Sequence, residues 1–67
     1  MTAQEMFEEL GFTLKPGFKG YIWYEDGKGR FIYFEENTRM YYNHLIFVDT
    51  KIHKAINKQC QELGWIE

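Results

Sequence analysis

The sequence predicts an α+β domain with the order α-β-β-β-α: a three-stranded antiparallel meander with two helices packed on one face. Three observations carry this expectation. Apolar residues recur at helical spacing near each end, and both stripes stop at a glycine followed by a large apolar residue, Gly11-Phe12 and Gly64-Trp65. Between them lie runs rich in β-branched and aromatic residues, from Tyr21 to Tyr24, Phe31 to Phe34 and Met40 to Tyr42, separated by turn-forming residues. The chain has 67 residues, enough for one small domain spanning 1–67.

The first helix is predicted over residues 2–10. Thr2 and Glu5 have the spacing of a capping box, in which each side chain satisfies an orphan backbone donor of the first turn. Ala3, Met6, Phe7 and Leu10 then fall at i, i+3, i+4 and i+7, with Gln4, Glu5, Glu8 and Glu9 on the outer side. So short a helix is not stable alone and needs packing on the sheet. Lys15-Pro16-Gly17 follows, and proline before glycine suggests a type II turn into the first strand.

Glu25-Asp26-Gly27-Lys28-Gly29-Arg30 is the strongest hairpin signal. With Asp26 to Gly29 as the loop, Glu25 pairs with Arg30 and Tyr24 faces Phe31. Ile22, Tyr24, Phe31 and Tyr33 then share one face, and Tyr21, Trp23, Ile32 and Phe34 the other. Glu36, Asn37 and Thr38 suit the second turn, whose register is open by one residue. The favoured register sets Met40 and Tyr42 beside Tyr33 and Phe31. Leu45-Ile46-Phe47-Val48 either extends the third strand past a bulge or plugs the core. The second is expected, because the chain must cross to the helix layer.

The second helix is predicted over 50–63, with Asp49 as its N-cap, Thr50 as the fallback, and Ile52, Ala55, Ile56, Cys60 and Leu63 as its apolar stripe. Lys51, Lys54 and Lys58 lie near one side of its outer surface. They form a candidate basic face for phosphate or an acidic partner, set against the simpler reading of a solvated surface.

A chain of this size buries only roughly 60% of its unfolded surface, so its core needs reinforcement. Cys60 is the only cysteine, which excludes an internal disulfide and suits a reducing cytoplasm. Six Phe, five Tyr and two Trp offer a different reinforcement, since each buries roughly 150–250 Å². A formal charge of −2 and a pI near 5.6 argue against broad nucleic-acid or membrane-surface binding. Met1-Thr2-Ala3-Gln4-Glu5 has no basic region, and no apolar run approaches the ~18 residues of a membrane span. The expectation is a cytoplasmic protein without membrane attachment.

No constellation of catalytic type emerges. His53 and Cys60 are seven residues apart on one helix and hence roughly 10 Å apart along its axis, beyond the ~3 Å that a thiol and its base require. His44, His53 and Cys60 lack metal-ligand spacing. Gly27-Lys28-Gly29-Arg30 leads into a strand, whereas a phosphate loop opens a helix. The pairs Glu8/Glu9, Glu25/Asp26 and Glu35/Glu36 are sequence neighbours, with nothing to set two carboxylates across a cleft. The chain is expected not to be an enzyme and to use neither cofactor nor metal.

Two segments carry a resemblance. Met1-Thr2-Ala3-Gln4-Glu5-Met6-Phe7-Glu8-Glu9-Leu10-Gly11-Phe12 and His53-Lys54-Ala55-Ile56-Asn57-Lys58-Gln59-Cys60-Gln61-Glu62-Leu63-Gly64-Trp65 resemble the termini of small uncharacterised proteins encoded by phages and prophages of Gram-positive bacteria. They span both helices, about a third of the chain, and consist largely of core stripes and caps. The resemblance implies a small accessory protein of a bacterial cytoplasm, and brings no catalytic or binding residues with it.

Two short helices cover one side of a sheet, leaving the other as an aromatic patch of the kind that marks interfaces. The less hydroxylated set is expected under the helices, so Ile22, Tyr24, Phe31, Tyr33 and Tyr42 form the candidate interaction face. The function expected is a protein-interaction module, binding itself as a homodimer or a host protein. The alternative is single-stranded nucleic-acid binding, with sheet aromatics as stacking platforms and Lys28, Arg30, Arg39 and the second-helix lysines Lys51, Lys54 and Lys58 adding charge. A third reading has residues 43–48 covering the patch, with no binding role.

Overall fold

A computed structural model describes residues 1–17 and 19–67. Along the chain run α1 (Ala3–Glu9), β1 (Thr13–Lys15), β2 (Tyr21–Glu25), β3 (Phe31–Glu35), β4 (Met40–His44) and α2 (Thr50–Glu62). The strands form one antiparallel sheet in the order β1-β2-β3-β4. The class is α+β, with a sheet of four strands where three were expected. The additional strand, β1, is only Thr13-Leu14-Lys15. Three residues ending at Pro16 show no alternation of their own, so the strand exists through its pairing with β2 rather than through local preference. The turn expected at Lys15-Pro16-Gly17 runs into Phe18, which lies outside the described residues. Among the described residues no helix is long and apolar enough to cross a membrane.

Both helices begin and end as local chemistry dictates. Thr2 Oγ1 accepts from the Glu5 N–H at 3.1 Å, and Glu5 Oε1 accepts from the Thr2 N–H at 2.8 Å. Asp49 Oδ1 accepts from the Ile52 N–H at 2.8 Å. At the other ends the same device appears twice: Phe12 donates to the Phe7 carbonyl and Gly11 to Glu8, while Trp65 donates to Cys60 and Gly64 to Gln61. These are Schellman motifs, and Gly11 (φ 91) and Gly64 (φ 76) supply the left-handed residue that each requires.

The first hairpin differs from expectation by one residue. Its loop is five residues, Asp26 to Arg30, so that Glu25 faces Phe31 and Tyr24 faces Ile32. Asp26 holds the longer loop closed. Its Oδ1 accepts from the N–H groups of Lys28 (2.8 Å) and Arg30 (3.1 Å), and its Oδ2 takes the Arg30 Nε–H at 2.6 Å. Burial opposes ionisation of this carboxyl, but those bonds and the Arg30 charge outweigh it and hold the group below its ordinary value. The Arg30 guanidinium in turn lies 5.4 Å from the centre of the Phe12 ring. In the second hairpin Glu35 pairs with Met40, Tyr33 with Tyr42 and Phe31 with His44, two residues from the favoured register, and because the strand period is two Met40 and Tyr42 still share the face of Phe31 and Tyr33.

Because the strand period is two, the single slip in the first hairpin reverses all of β2 relative to β3. Ile22, Tyr24, Ile32 and Phe34 share the face under the helices. There Phe7 stacks on Tyr24 at 4.3 Å, and Phe7, Phe12, Tyr24, Ile32 and Phe34 are all but fully buried. Each such side chain contributes roughly 1.5–3 kcal/mol of transfer free energy. Ile52, Ala55, Ile56 and Cys60 of α2 complete the core, with Leu63 and Trp65 packed against it. The Glu62 carboxylate ties the helices together by accepting from the Ala3 N–H at 2.8 Å.

Residues 45–48 form no strand. Leu45 takes a left-handed backbone (φ 57) and turns the chain out of β4. Ile46 then enters the core, held by Asn43 Nδ2 donating to its carbonyl at 3.0 Å, while Phe47 stands 97% exposed. The segment plugs the core with Ile46, while Leu45, Phe47 and Val48 remain exposed.

Candidate interaction face

The sheet face turned away from the helices is set by three cross-strand rows. Lys15, Trp23, Tyr33 and Tyr42 follow one another across the four strands, then Thr13, Glu25, Phe31 and His44, with Tyr21, Glu35 and Met40 as the third row. Trp23, Phe31 and Tyr33 are half-buried on this surface, while Tyr21, Met40 and Tyr42 are exposed.

Its rings pack on each other. Trp23 stacks on Phe31 at 4.7 Å with planes 17° apart, and on Tyr33 at 5.0 Å and 11°. Phe31 has its other neighbour in His44, at 4.6 Å and 16°. Tyr21 meets Tyr33 edge-on at 5.4 Å, and Tyr42 leans on Tyr33 at 5.5 Å. Such contacts add about 0.5–1.5 kcal/mol per pair beyond area burial. Phe31 is therefore stacked on Trp23 and His44, and Tyr33 on Trp23, while Tyr21, Tyr42 and Met40 are the exposed members of the face. Tyr42 Oη stands 3.2 Å from His44 Nδ1.

Charge on this face is sparse and mixed. Lys15 lies in the first strand and Glu25 in the second. Glu35 is committed to the adjoining turn, where it accepts from the Thr38 hydroxyl, the Thr38 N–H (2.7 Å) and the Asn37 N–H (3.1 Å). Those bonds, the Thr38 hydroxyl foremost, hold its carboxyl below the ordinary range.

Of the five residues expected on the candidate face, Phe31, Tyr33 and Tyr42 lie on it and two do not. Ile22 packs against the core, and Tyr24 is 2% exposed, so both lie under the helices. Tyr21 and Trp23 take their places. The assumption that the more hydroxylated set faces water failed at Tyr24, whose hydroxyl donates to Gln59 Oε1 at 2.6 Å inside the core. Gln59 is the one polar side chain among the buried residues described. The one local signal for the correct register was Asp26, an acceptor able to close a five-residue loop on Arg30.

The other candidates stay apart. Lys51 and Lys54 line a groove with Met1, Met6, Leu10 and the acidic Glu9, while Lys58 lies half-buried further along α2. Cys60 is buried and its thiol pKa is raised by that burial, whereas His53 is exposed. Among the described residues no three His, Cys, Asp or Glu side chains are grouped so as to hold a metal ion. No protein-family model matches the chain, and neither a curated protein nor a solved structure matches it significantly.

Proposed function

We propose that this chain is a non-enzymatic protein-interaction module that docks a protein partner on the face formed by Tyr21, Trp23, Phe31, Tyr33, Met40 and Tyr42. The observation that carries this reading is the ring geometry. An aromatic sheet that binds single-stranded nucleic acid offers π-faces on which bases stack, together with a positively charged track. Here Phe31 and Tyr33 are stacked on other rings, and Lys15 is offset by Glu25. Exposed tyrosines and a methionine suit a protein surface, where aromatic residues and methionine are enriched. The resemblance of both termini to phage and prophage proteins supports the further proposal of an accessory protein acting in a bacterial cytoplasm.

The test is a crosslinking pull-down comparing the natural chain with Tyr33→Ala and Tyr42→Ala, followed by titration of any captured protein against Trp23 fluorescence in a Trp65→Phe background. A partner lost in both variants and able to change that fluorescence is expected. Capture indifferent to both substitutions overturns the reading, as does salt-sensitive binding of labelled single-stranded oligonucleotides in its place.

A further inference from the structure

The two edges of the sheet are unlike each other. The β1 edge is three residues long, carries Lys15 and runs into Pro16, all features that discourage another strand from pairing there. The β4 edge, Met40-Tyr41-Tyr42-Asn43-His44, is five residues long and has no lysine, proline or carboxylate. Every second residue of β4 turns its N–H and C=O away from β3, so this edge presents a row of main-chain groups whose natural complement is another extended strand.

The ends of that strand are also marked. Among the described residues, the only non-glycine positions with positive φ are Arg39 (φ 56) and Leu45 (φ 57). They stand three residues before and three residues after Tyr42, so the extended backbone begins and ends symmetrically about that tyrosine.

We propose that β4 pairs antiparallel with β4 of a second copy of this chain about a two-fold axis at Tyr42. Met40 of each copy then lies opposite His44 of the other, and Tyr41 opposite Asn43. No carboxylate or lysine meets its like, because β4 holds none. The two sheets become one of eight strands, and the aromatic rows of both open faces run on into each other. Since only one edge of each copy is competent, the contact is isologous and closes at a dimer.

The available area fits. Met40, Tyr41, Tyr42, Leu45 and Phe47 are 62%, 47%, 48%, 71% and 97% exposed. At roughly 200 Å² for a large side chain they offer on the order of 600 Å² per copy. The strand's own backbone adds to this, against the roughly 800 Å² that a standard interface takes from each partner. A domain of this size is also one for which oligomerisation is a usual reinforcement.

Met40 and Tyr42 belong to both the edge and the open face, but this pairing does not depend on the docking role of that face: the test reads self-association alone, and Tyr33, which lies on the face and not in the edge strand, is its control. In a Cys60→Ser background, Tyr42→Cys, Met40→Cys, His44→Cys and Tyr33→Cys chains are oxidised mildly, after circular dichroism has established that each is folded. Directly opposed residues in an antiparallel pair have Cα atoms roughly 4.5–5.5 Å apart, within disulfide range. Tyr42→Cys is expected to crosslink with itself, and Met40→Cys with His44→Cys only when the two are mixed. Light scattering of the natural chain is expected to approach twice 8.1 kDa as concentration rises. A monomer at every concentration overturns the proposal. So does a Tyr33→Cys crosslink without a Tyr42→Cys one, which would mean the copies meet face to face.

Discussion

The hydroxyl of Tyr24 donates to Gln59 Oε1 at 2.6 Å, joining a central strand to the second helix in the interior of the domain. Tyr24 stacks on Phe7 and is 2% exposed, while Gln59 is 5% exposed. Each polar group is buried only because the other is there, and removing one partner leaves the other without its bond. The bond is available only in the register that turns Tyr24 inward, with Trp23 on the opposite face.

Tyr24→Phe should therefore destabilise the domain by about 1–3 kcal/mol, the cost of a buried acceptor left unsatisfied. Gln59→Met added to it should recover much of that loss, since removing both partners can be nearly neutral. Urea melts of the two single variants and the double variant measure this. Purely additive losses would mean that the two residues stabilise the domain independently.

Alkaline pH should act through the same residue. Burial, reinforced by the charges of Glu62 and Glu8, pushes the Tyr24 hydroxyl from 10.0 up to about 12. The folded chain keeps a proton that the unfolded chain loses, so this contribution to stability is complete below pH 10 and drains away between pH 10 and 12. Absorbance titration should show one late-ionising tyrosine that is missing in Tyr24→Phe. A titration curve unchanged in shape by that substitution would contradict the assignment.

At acid pH the first hairpin loop should fail through Asp26. Its carboxyl is held low in the folded chain, so its contribution is present above the ordinary value of 3.8 and is lost as pH falls through the folded value. Asp26→Asn should lower the melting temperature at neutral pH, and the gap to the natural chain should narrow as pH drops below 3.8. Thermal melts across that range test it. A gap independent of pH would place the stabilisation elsewhere.

Neighbouring residues of the 45–48 segment should behave in opposite ways. Ile46 is part of the core, and Ile46→Ala should cost about 2–5 kcal/mol. Phe47 is almost wholly exposed, and Phe47→Ala should stay within about 0.5 kcal/mol when measured at low protein concentration. Comparable losses in the two variants would show that the plug is misassigned.

Much of this fold is legible before any coordinates. The Thr2–Glu5 box, the Asp49 cap and the glycines that stop both helices act within a turn or two, so their spacing along the chain is their spacing in space. β1 was not legible, because three residues carry no period and the strand is defined by its partner. Residues 45–48 were legible in role but not in detail: which of four apolar residues enters the core depends on where the left-handed turn at Leu45 falls.

The sequence by itself determined the two helices, their ends, the aromatic strands between them and the surplus of rings over what two short helices cover. Which rings are left uncovered was decided by the folded chain, through a loop closure and a long-range contact acting together. One residue of loop length at Asp26–Arg30 turns Tyr24 inward and Trp23 outward, and that length is settled by a carboxylate closing on Arg30 and by a tyrosine hydroxyl meeting Gln59 35 residues away. A strand exchanges its faces with every single step of register, so a pattern apolar on both sides leaves the choice to contacts that only the folded chain brings together.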